Sequence, residues 1–547
     1  MNKKRTGRVI ALALLLAGLC STAQALVKTW NGNTDTNFNT AANWNAAFAT
    51  GDSMTFNAVG TAGGSLYNNL TPNINVAGMT FASNVAQSAY TINGNAITLA
   101  GNIVQSAGAT NTLVINLPMT MAVNRTITAR GNITLGGNIS GAGGLIKGAQ
   151  SLGTSLLTLT GTNDFTGDVT LASGTGILQV SKDENLGAGA NINLAQNTTL
   201  KTTGSFATGK TITLSAAGAN QDINTASGTT LTLNNKVTGG VGGTMRINGL
   251  GTVVYAAAND HSAGTTVAGI LKLSGAGTLN NGSGRISMNS GSIDLGGTAQ
   301  TVGALTFVGG ASYISNGNLT VSAMTNGSFT AGISTVSANL HGTGATLLQQ
   351  QGTLILNGIN DFTGATAVTS TGTVSKLVIN GSTLSDITVG SWGTLGGSGT
   401  VAAVTMQAGS TLAAGNSPGT LTFTANATLE AGSTNIMEIY SASLYDVLKG
   451  STSNTLALAG ENRIDFTGWT IPGVTNGTTF ALFQNWDSIN TNGATFTFVN
   501  LANLGLTGSQ SLEATGTGFT VIPEPATIGM LGLGALITMM IRRMRTY

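Results

Sequence analysis

Catalysis needs groups that converge, and this sequence offers few candidates. The chain of 547 residues holds two histidines, His261 and His341, and one cysteine, Cys20. A histidine pair with no neighbouring Cys or carboxylate cluster is not a zinc pattern. The densest charged stretch is Lys182-Asp183-Glu184. If the chain coils so that about one turn separates them, Asp164 would lie near Asp183 or Glu184 with Lys182 alongside. Carboxylates paired in that way could cleave a glycosidic bond by acid and base catalysis, or hold calcium. The competing reading is a polar turn, because Asp164 belongs to a recurring Asn-Asp pair and Lys182-Asp183-Glu184 runs into Asn185-Leu186-Gly187. The sequence has no nucleophile elbow, P-loop or calcium-binding nonapeptide run. We therefore expect no catalytic residue, no metal, no cofactor and no enzymatic activity.

The elements that would carry such groups are repeats. "LTLTGTNDFTGDVTLASGTGILQV" begins at Leu157, "GTVVYAAANDHSAGTTVAGILKL" at Gly251 and "GTLILNGINDFTGATAVTSTGTVSKLVI" at Gly352. Each has a run of alternating Leu, Val, Ile and Thr, then an Asn-Asp pair, an aromatic or His, a small turn closing on Gly, and a second run. The turn residues are Asn163, Asp164 and Gly167; Asn259, Asp260 and Gly264; and Asn360, Asp361 and Gly364. Asn and Asp side chains bond back to the backbone, and Gly takes positive φ without steric cost. Phe165 and Phe362 should enter the core, with His261 in the same slot of the middle copy.

Composition fits a stack of such units. Charged residues make up 7% of the chain, against about 25% in ordinary globular proteins. The 79 glycines and 41% apolar content argue for turn-rich β-structure rather than disorder. No proline occurs between Met119 and Ser417, as an uninterrupted hydrogen-bond ladder requires. Between residues 26 and 522, 14 Lys and Arg face 18 Asp and Glu, so the body is mildly acidic and has no basic stripe for nucleic acid. Short β-runs stacked at about 4.8 Å could bury one continuous apolar core. At roughly 20 residues per turn this gives on the order of 25 turns. The tryptophans Trp30, Trp44, Trp392, Trp469 and Trp486 are candidate sugar-stacking residues, or, for Trp30 and Trp44, a plug for the N-terminal end.

The two ends carry addresses. Lys3, Lys4, Arg5 and Arg8 precede the apolar run "VIALALLLAGLC", and "AQA" closes it at Ala23 to Ala25. That is the pattern of a secretory signal peptide cut after Ala25, which would remove the lone cysteine. At the other end, Pro523-Glu524-Pro525 leads into sixteen uncharged residues, Ala526 to Ile541, and then Arg542, Arg543 and Arg545. As a helix the apolar run would be about 24 Å long, slightly short of a full span. Arginines held in the cytoplasm would place the body outside the inner membrane.

This ending resembles the PEP-CTERM sorting signal. The resemblance implies recognition by an exosortase-type enzyme, a transient inner-membrane anchor, and release to the cell surface or an extracellular, exopolysaccharide-containing matrix. Residues 157 to 167 and 354 to 364, and more loosely 253 to 264, resemble the autotransporter-associated β-strand repeat. "WNGNTDTNFNTAANWN" from Trp30 and "AAGNSPGTLTF" from Ala413 are similar to segments of exported proteins of this kind. The repeat implies a right-handed parallel β-helix. A departure from autotransporters is that no alternating-strand pattern for an outer-membrane barrel follows.

The expected organisation is all-β: a signal helix (1–25), an N-terminal β region opening the β-helix (26–140), the repeat-bearing β-helix (141–430), a C-terminal β cap (431–520), and a sorting segment with a short transmembrane helix (521–547). The expected function is a non-enzymatic surface or matrix protein. An adhesin or glycan-binding β-helix is the first alternative and a polysaccharide lyase or hydrolase the second.

Overall fold

The computed structural model describes residues 25–57, 60–82, 89–106, 112–149, 155–215, 220–327, 332–370, 372–373, 375–470, 473–506 and 510–523. The signal helix, the transmembrane helix, Glu524, Pro525, Arg542, Arg543, Arg545 and Ala23 lie outside these residues. Ala25 is described, and exposed. Among the described residues no helix is long and apolar enough to cross a membrane.

The expected alternation is what the strands are made of. In Ser155–Leu159, Gly176–Val180 and Thr198–Thr202 every second residue is buried. Successive strands pair in parallel and in register, so like residues stack. Leu157 pairs with Leu178, Leu178 with Leu200, Leu200 with Ile223, and Ile223 with Ile247. All are essentially solvent-free. Burying each such side chain contributes about 1.5–3 kcal/mol relative to exposure. The fold is therefore a parallel β-solenoid, of about 18 turns. That is fewer than 25, because most turns are longer than 20 residues, as from Leu178 to Leu200 and from Ile223 to Ile247. The coil is tight where Ile387 pairs with Val404 and long where Glu461 pairs with Thr495.

The chain divides into two units. The first comprises residues up to 265 together with 269–281. A ten-stranded parallel sheet runs through it from Val27–Trp30 to Val237–Gly239, beside a four-stranded sheet that includes Ile97–Leu99 and Ile139–Ser140. Its N-terminal end is filled by aromatics. Trp30 meets Trp44 edge-on at 5.0 Å, Trp44 Nε1 donates to the Phe38 carbonyl at 2.8 Å, and Phe56 stacks on Phe81 at 4.7 Å. Trp30 and Trp44 are buried, so they plug this end and are closed to sugars.

The second unit comprises residues 266–268 and those from 282 onward. Its parallel ladder continues well into the segment 431–520, through Thr434–Ser441, Glu461–Asp465 and Thr495–Val499. Antiparallel strand pairs accompany it, beginning with Leu444–Tyr445 against the end of Thr434–Ser441. Gly518–Pro523 pairs with Gln510–Thr515 and with Thr479–Ala481. Phe519 from this sheet lies edge-on to Phe496 at 5.6 Å and Phe498 at 5.1 Å. Pro523 is the last residue of that strand, opposite Gln510.

One core position in the first unit breaks the apolar rule. Lys147 lies in register with Ile127 and Leu171 and is fully buried. Its Nζ donates to Ser155 Oγ at 2.8 Å and to the Gly148 carbonyl at 3.1 Å. Burial pushes the ammonium down to about 8. A lysine whose pKa falls on folding penalises the native state fully below about 8, and the penalty fades as pH rises towards the unfolded value near 10.5. Lys147 should therefore add a rise in the denaturant midpoint of this unit between pH 8 and 10.5, and the difference between wild type and Lys147→Met, in which buried Lys210 and the buried tyrosines cancel, should show it; urea titrations of both at several pH values would check it.

Candidate functional site

The three Asn-Asp turns share one geometry. Asn163 Oδ1 accepts from Ile139 N at 2.8 Å, and Asp164 N donates to the carbonyl of the same residue at 2.9 Å. Asn259 and Asp260 hold Val237 in the same way, and Asn360 and Asp361 hold Leu340. Each Asn also reaches forward. Asn163 Nδ2 donates to the Asn185 carbonyl, Asn259 Nδ2 to that of Thr278, and Asn360 Nδ2 to that of Ser382. All three asparagines are buried. One amide thus braces three successive turns.

The glycines of these turns play a different part from the one expected. Gly167, Gly264 and Gly364 do not carry the positive φ. It falls one turn earlier, at Gly141 (102°), Gly239 (83°) and Gly342 (151°), whose carbonyls accept from the N–H of Thr166, Ser262 and Thr363. Gly167 and Gly364 are needed for space. A Cβ on them would lie 2.2 Å from Gly144 N and 2.4 Å from the Ala345 carbonyl oxygen.

Phe165 and Phe362 fill the core slot, and His261 occupies it in the middle copy, fully buried, with Nε2 3.1 Å from Thr265 Oγ1. Burial holds its pKa down to about 4, against the smaller opposing pulls of Val237 and Asp260. His341 ends the strand Asn339–His341 rather than sitting in a free turn. Its Nδ1 is 2.7 Å from Asp361 Oδ1 and its Nε2 3.3 Å from Asn318 Oδ1, joining neighbouring turns.

The residues of the candidate carboxylate site lie on adjacent turns and carry structural roles there. Asp183–Leu186 form a 3-10 turn, and the Glu184 carbonyl accepts from Asn163 N. Lys182 Nζ contacts Thr162 Oγ1 at 3.2 Å, and Asp260 pairs with Lys236 at 2.7 Å. Asp183 and Asp168 act electrostatically on buried Lys210, which donates to the carbonyls of Gly187 and Gly189. Asp164 lines a groove of about 380 Å³ with Thr120, Asn138 and Ser140. Among the described residues no group of three or more His, Cys, Asp or Glu could hold a metal.

A feature that sequence reasoning left undistinguished lies on one corner of the second unit. Trp469 is buried, and Trp486 is half-buried, packed on Phe423 with Nε1 donating to the Leu448 carbonyl. Trp392 is 60% exposed and has φ of 63°. The other described non-glycine residues with positive φ are Asn or Ser. A bulky residue there is an outlier costing on the order of 1–2 kcal/mol. The register Thr394, Thr411, Thr434, Glu461, Thr495 aligns Trp392 with Gly409, Gly432, Ala459 and Gly493 on successive turns. Trp392 N donates to the Gly409 carbonyl at 2.9 Å, and Gly409 N to that of Gly432 at 2.7 Å. Further along lies a groove of about 370 Å³ floored by Gly432, Ala459 and Gly493 and walled by Thr434, Glu461 and Thr495. Outward threonines flank the corner, Thr388, Thr405 and Thr428 on one side and Thr394, Thr411 and Thr434 on the other. The sequence signal was a Trp between Gly390-Ser391 and Gly393, where the chain turns.

Comparison with known proteins finds a partial relative. The chain resembles part of an autotransporter adhesin. It is 32% identical over 260 residues to the adhesin BmaC autotransporter of Brucella suis biovar 1 (strain 1330), an alignment covering 44% of this chain. It spans only 7% of that adhesin's length. No protein-family profile matches the chain.

Two outcomes follow from the turn geometry. Asn360→Ala removes a buried amide that satisfies one N–H and two carbonyls, and should cost about 2–4 kcal/mol; a lowered urea midpoint with unchanged far-UV circular dichroism would register it. His261 binds fewer protons folded than unfolded between about pH 4 and 6.5, so its contribution is complete above 6.5 and is lost as pH falls towards 4. His261→Phe, which restores the aromatic of the sister repeats, should remove that acid-side loss. Comparing wild type and variant over pH 4 to 7 cancels the opposing contribution of buried Asp446, whose carboxyl burial pushes up to about 7.

Proposed function

We propose that this chain is an exported, non-enzymatic repeat protein of the cell surface or the exopolysaccharide matrix, adhesin-like in its solenoid. The observation that carries the reading is a parallel β-solenoid with outward threonine columns, part of which aligns with an autotransporter adhesin. Its repeated polar residues brace turns, which supports a role exerted through surface and length rather than through turnover. Low charge would let it lie among glycans with little dependence on salt. In this reading the signal peptide ends at Ala25, and the segment from Pro523 is an exosortase-type sorting signal that passes transiently through the inner membrane. Exopolysaccharide is the proposed partner. Exposed Trp392 favours direct contact with a glycan over a purely mechanical role.

The test is intact mass and location in the native producer, with membrane, surface-wash and medium fractions compared. The expected product lacks residues 1–25 and everything after the PEP motif, and is found outside the cell. Full-length C-terminus retained in the inner membrane would overturn the sorting step, and a cytoplasmic product would overturn the whole reading.

A further inference from the structure

We infer that the corner running from Trp392 to Gly493 is a binding track for a linear, uncharged polysaccharide. The inference deepens the surface reading above and rests on it for biological context. Five aligned corner positions at about 4.8 Å per turn span roughly 20 Å, the length of a short run of sugar residues in an extended chain. At one end the Trp392 indole stands out from the corner. An indole face presents a flat, weakly negative surface, and the axial C–H groups of a pyranose ring present the complementary apolar face.

Beyond Trp392 the corner drops to backbone. Gly409, Gly432 and Gly493 have φ of 78°, 84° and 84° and no side chain, and Ala459 adds one methyl. A strand laid there meets a shallow floor instead of a ridge. The groove walls then offer the hydroxyls of Thr434 and Thr495 and the Glu461 carboxylate. Glu461 Oε1 accepts from Thr497 Oγ1 at 2.7 Å, which orients the carboxylate and leaves Oε2 to accept from a sugar hydroxyl. The groove lining contains no Lys or Arg. A uronate or sulfated chain would place negative charge beside Glu461, and the neighbouring Arg463 is already paired with Asp465 at 2.9 Å, whereas a neutral chain brings only hydroxyl donors.

Trp392 also explains itself on this account. Gly fits that corner without strain, as at Gly409. A tryptophan held there against its backbone preference is a local cost consistent with a contact made by its exposed ring.

The experiment titrates cellohexaose and mannohexaose, with hexagalacturonate as the acidic comparison, into protein purified from the native producer, following heat and tryptophan fluorescence. Trp392→Gly relieves the backbone strain, so its thermal midpoint should be equal to or above wild type, which separates loss of binding from loss of fold. The expected result is saturable binding of at least one neutral hexamer with a change in fluorescence, a tenfold or greater loss in Trp392→Gly, and a three- to tenfold loss in Glu461→Gln. Binding of neither neutral hexamer, equal binding by Trp392→Gly, or preference for hexagalacturonate would overturn the track. The surface reading would be unaffected by those results, since it fails only on the fractionation experiment.

Discussion

A buried asparagine amide shared by three turns is the interaction on which this architecture depends. Parallel strands satisfy one another along each face, but the chain must leave the ladder at every corner, and backbone groups stranded there in the dry interior would each cost about 1–3 kcal/mol. Asn163, Asn259 and Asn360 answer this with one acceptor aimed at the turn before and one donor aimed at the turn after. An apolar residue could fill the volume but not the hydrogen bonds. The following slot tolerates Phe or His because its requirement is only size and burial.

The same logic governs stability along the chain. With no disulfide available to the described residues and few ion pairs, cohesion comes from apolar columns and from contacts between adjacent turns. Energetics of this kind are close to a sum of nearest-neighbour terms. Several departures from the apolar column are satisfied locally. Asn435 Nδ2 donates to Asn462 Oδ1 within the core at 3.1 Å, and Asn326 Nδ2 donates to Gln349 Oε1 at 2.9 Å. Buried Lys147 and Lys210 find backbone carbonyls.

Repetition also shapes what the surface can do. Strands point alternate residues outward, so a periodic sequence becomes columns of hydroxyls along each face. Such a surface suits extended partners better than small molecules. Corners are where the sequence can depart from the repeat without breaking a ladder, and both Trp392 and the groove beside Glu461 lie on one.

Much of the fold was legible in the sequence by itself. Strict alternation, the missing prolines and the recurring Asn-Asp pairs determined an all-β stack and the buried positions of Phe165 and Phe362. These are local properties, set by the period-two geometry of a strand and the chemistry of an amide in a turn. What needed the tertiary structure was everything that depends on register between turns. The number of coils followed from turn lengths that vary with no local signal. The glycine with positive φ proved to be the one a turn before each repeat, and Gly167 and Gly364 answered to crowding by Gly144 and Ala345. For Asp164, Asp183 and Glu184 the sequence left a paired site and a polar turn open, and only the register shows how the turn is built, with Asp164 N bonded to the Ile139 carbonyl and Asn163 N to that of Glu184. Trp392 was one tryptophan among five until the stack aligned it with Gly409, Gly432 and Gly493, because only a register linking residues far apart in the chain can turn separate corners into one continuous surface.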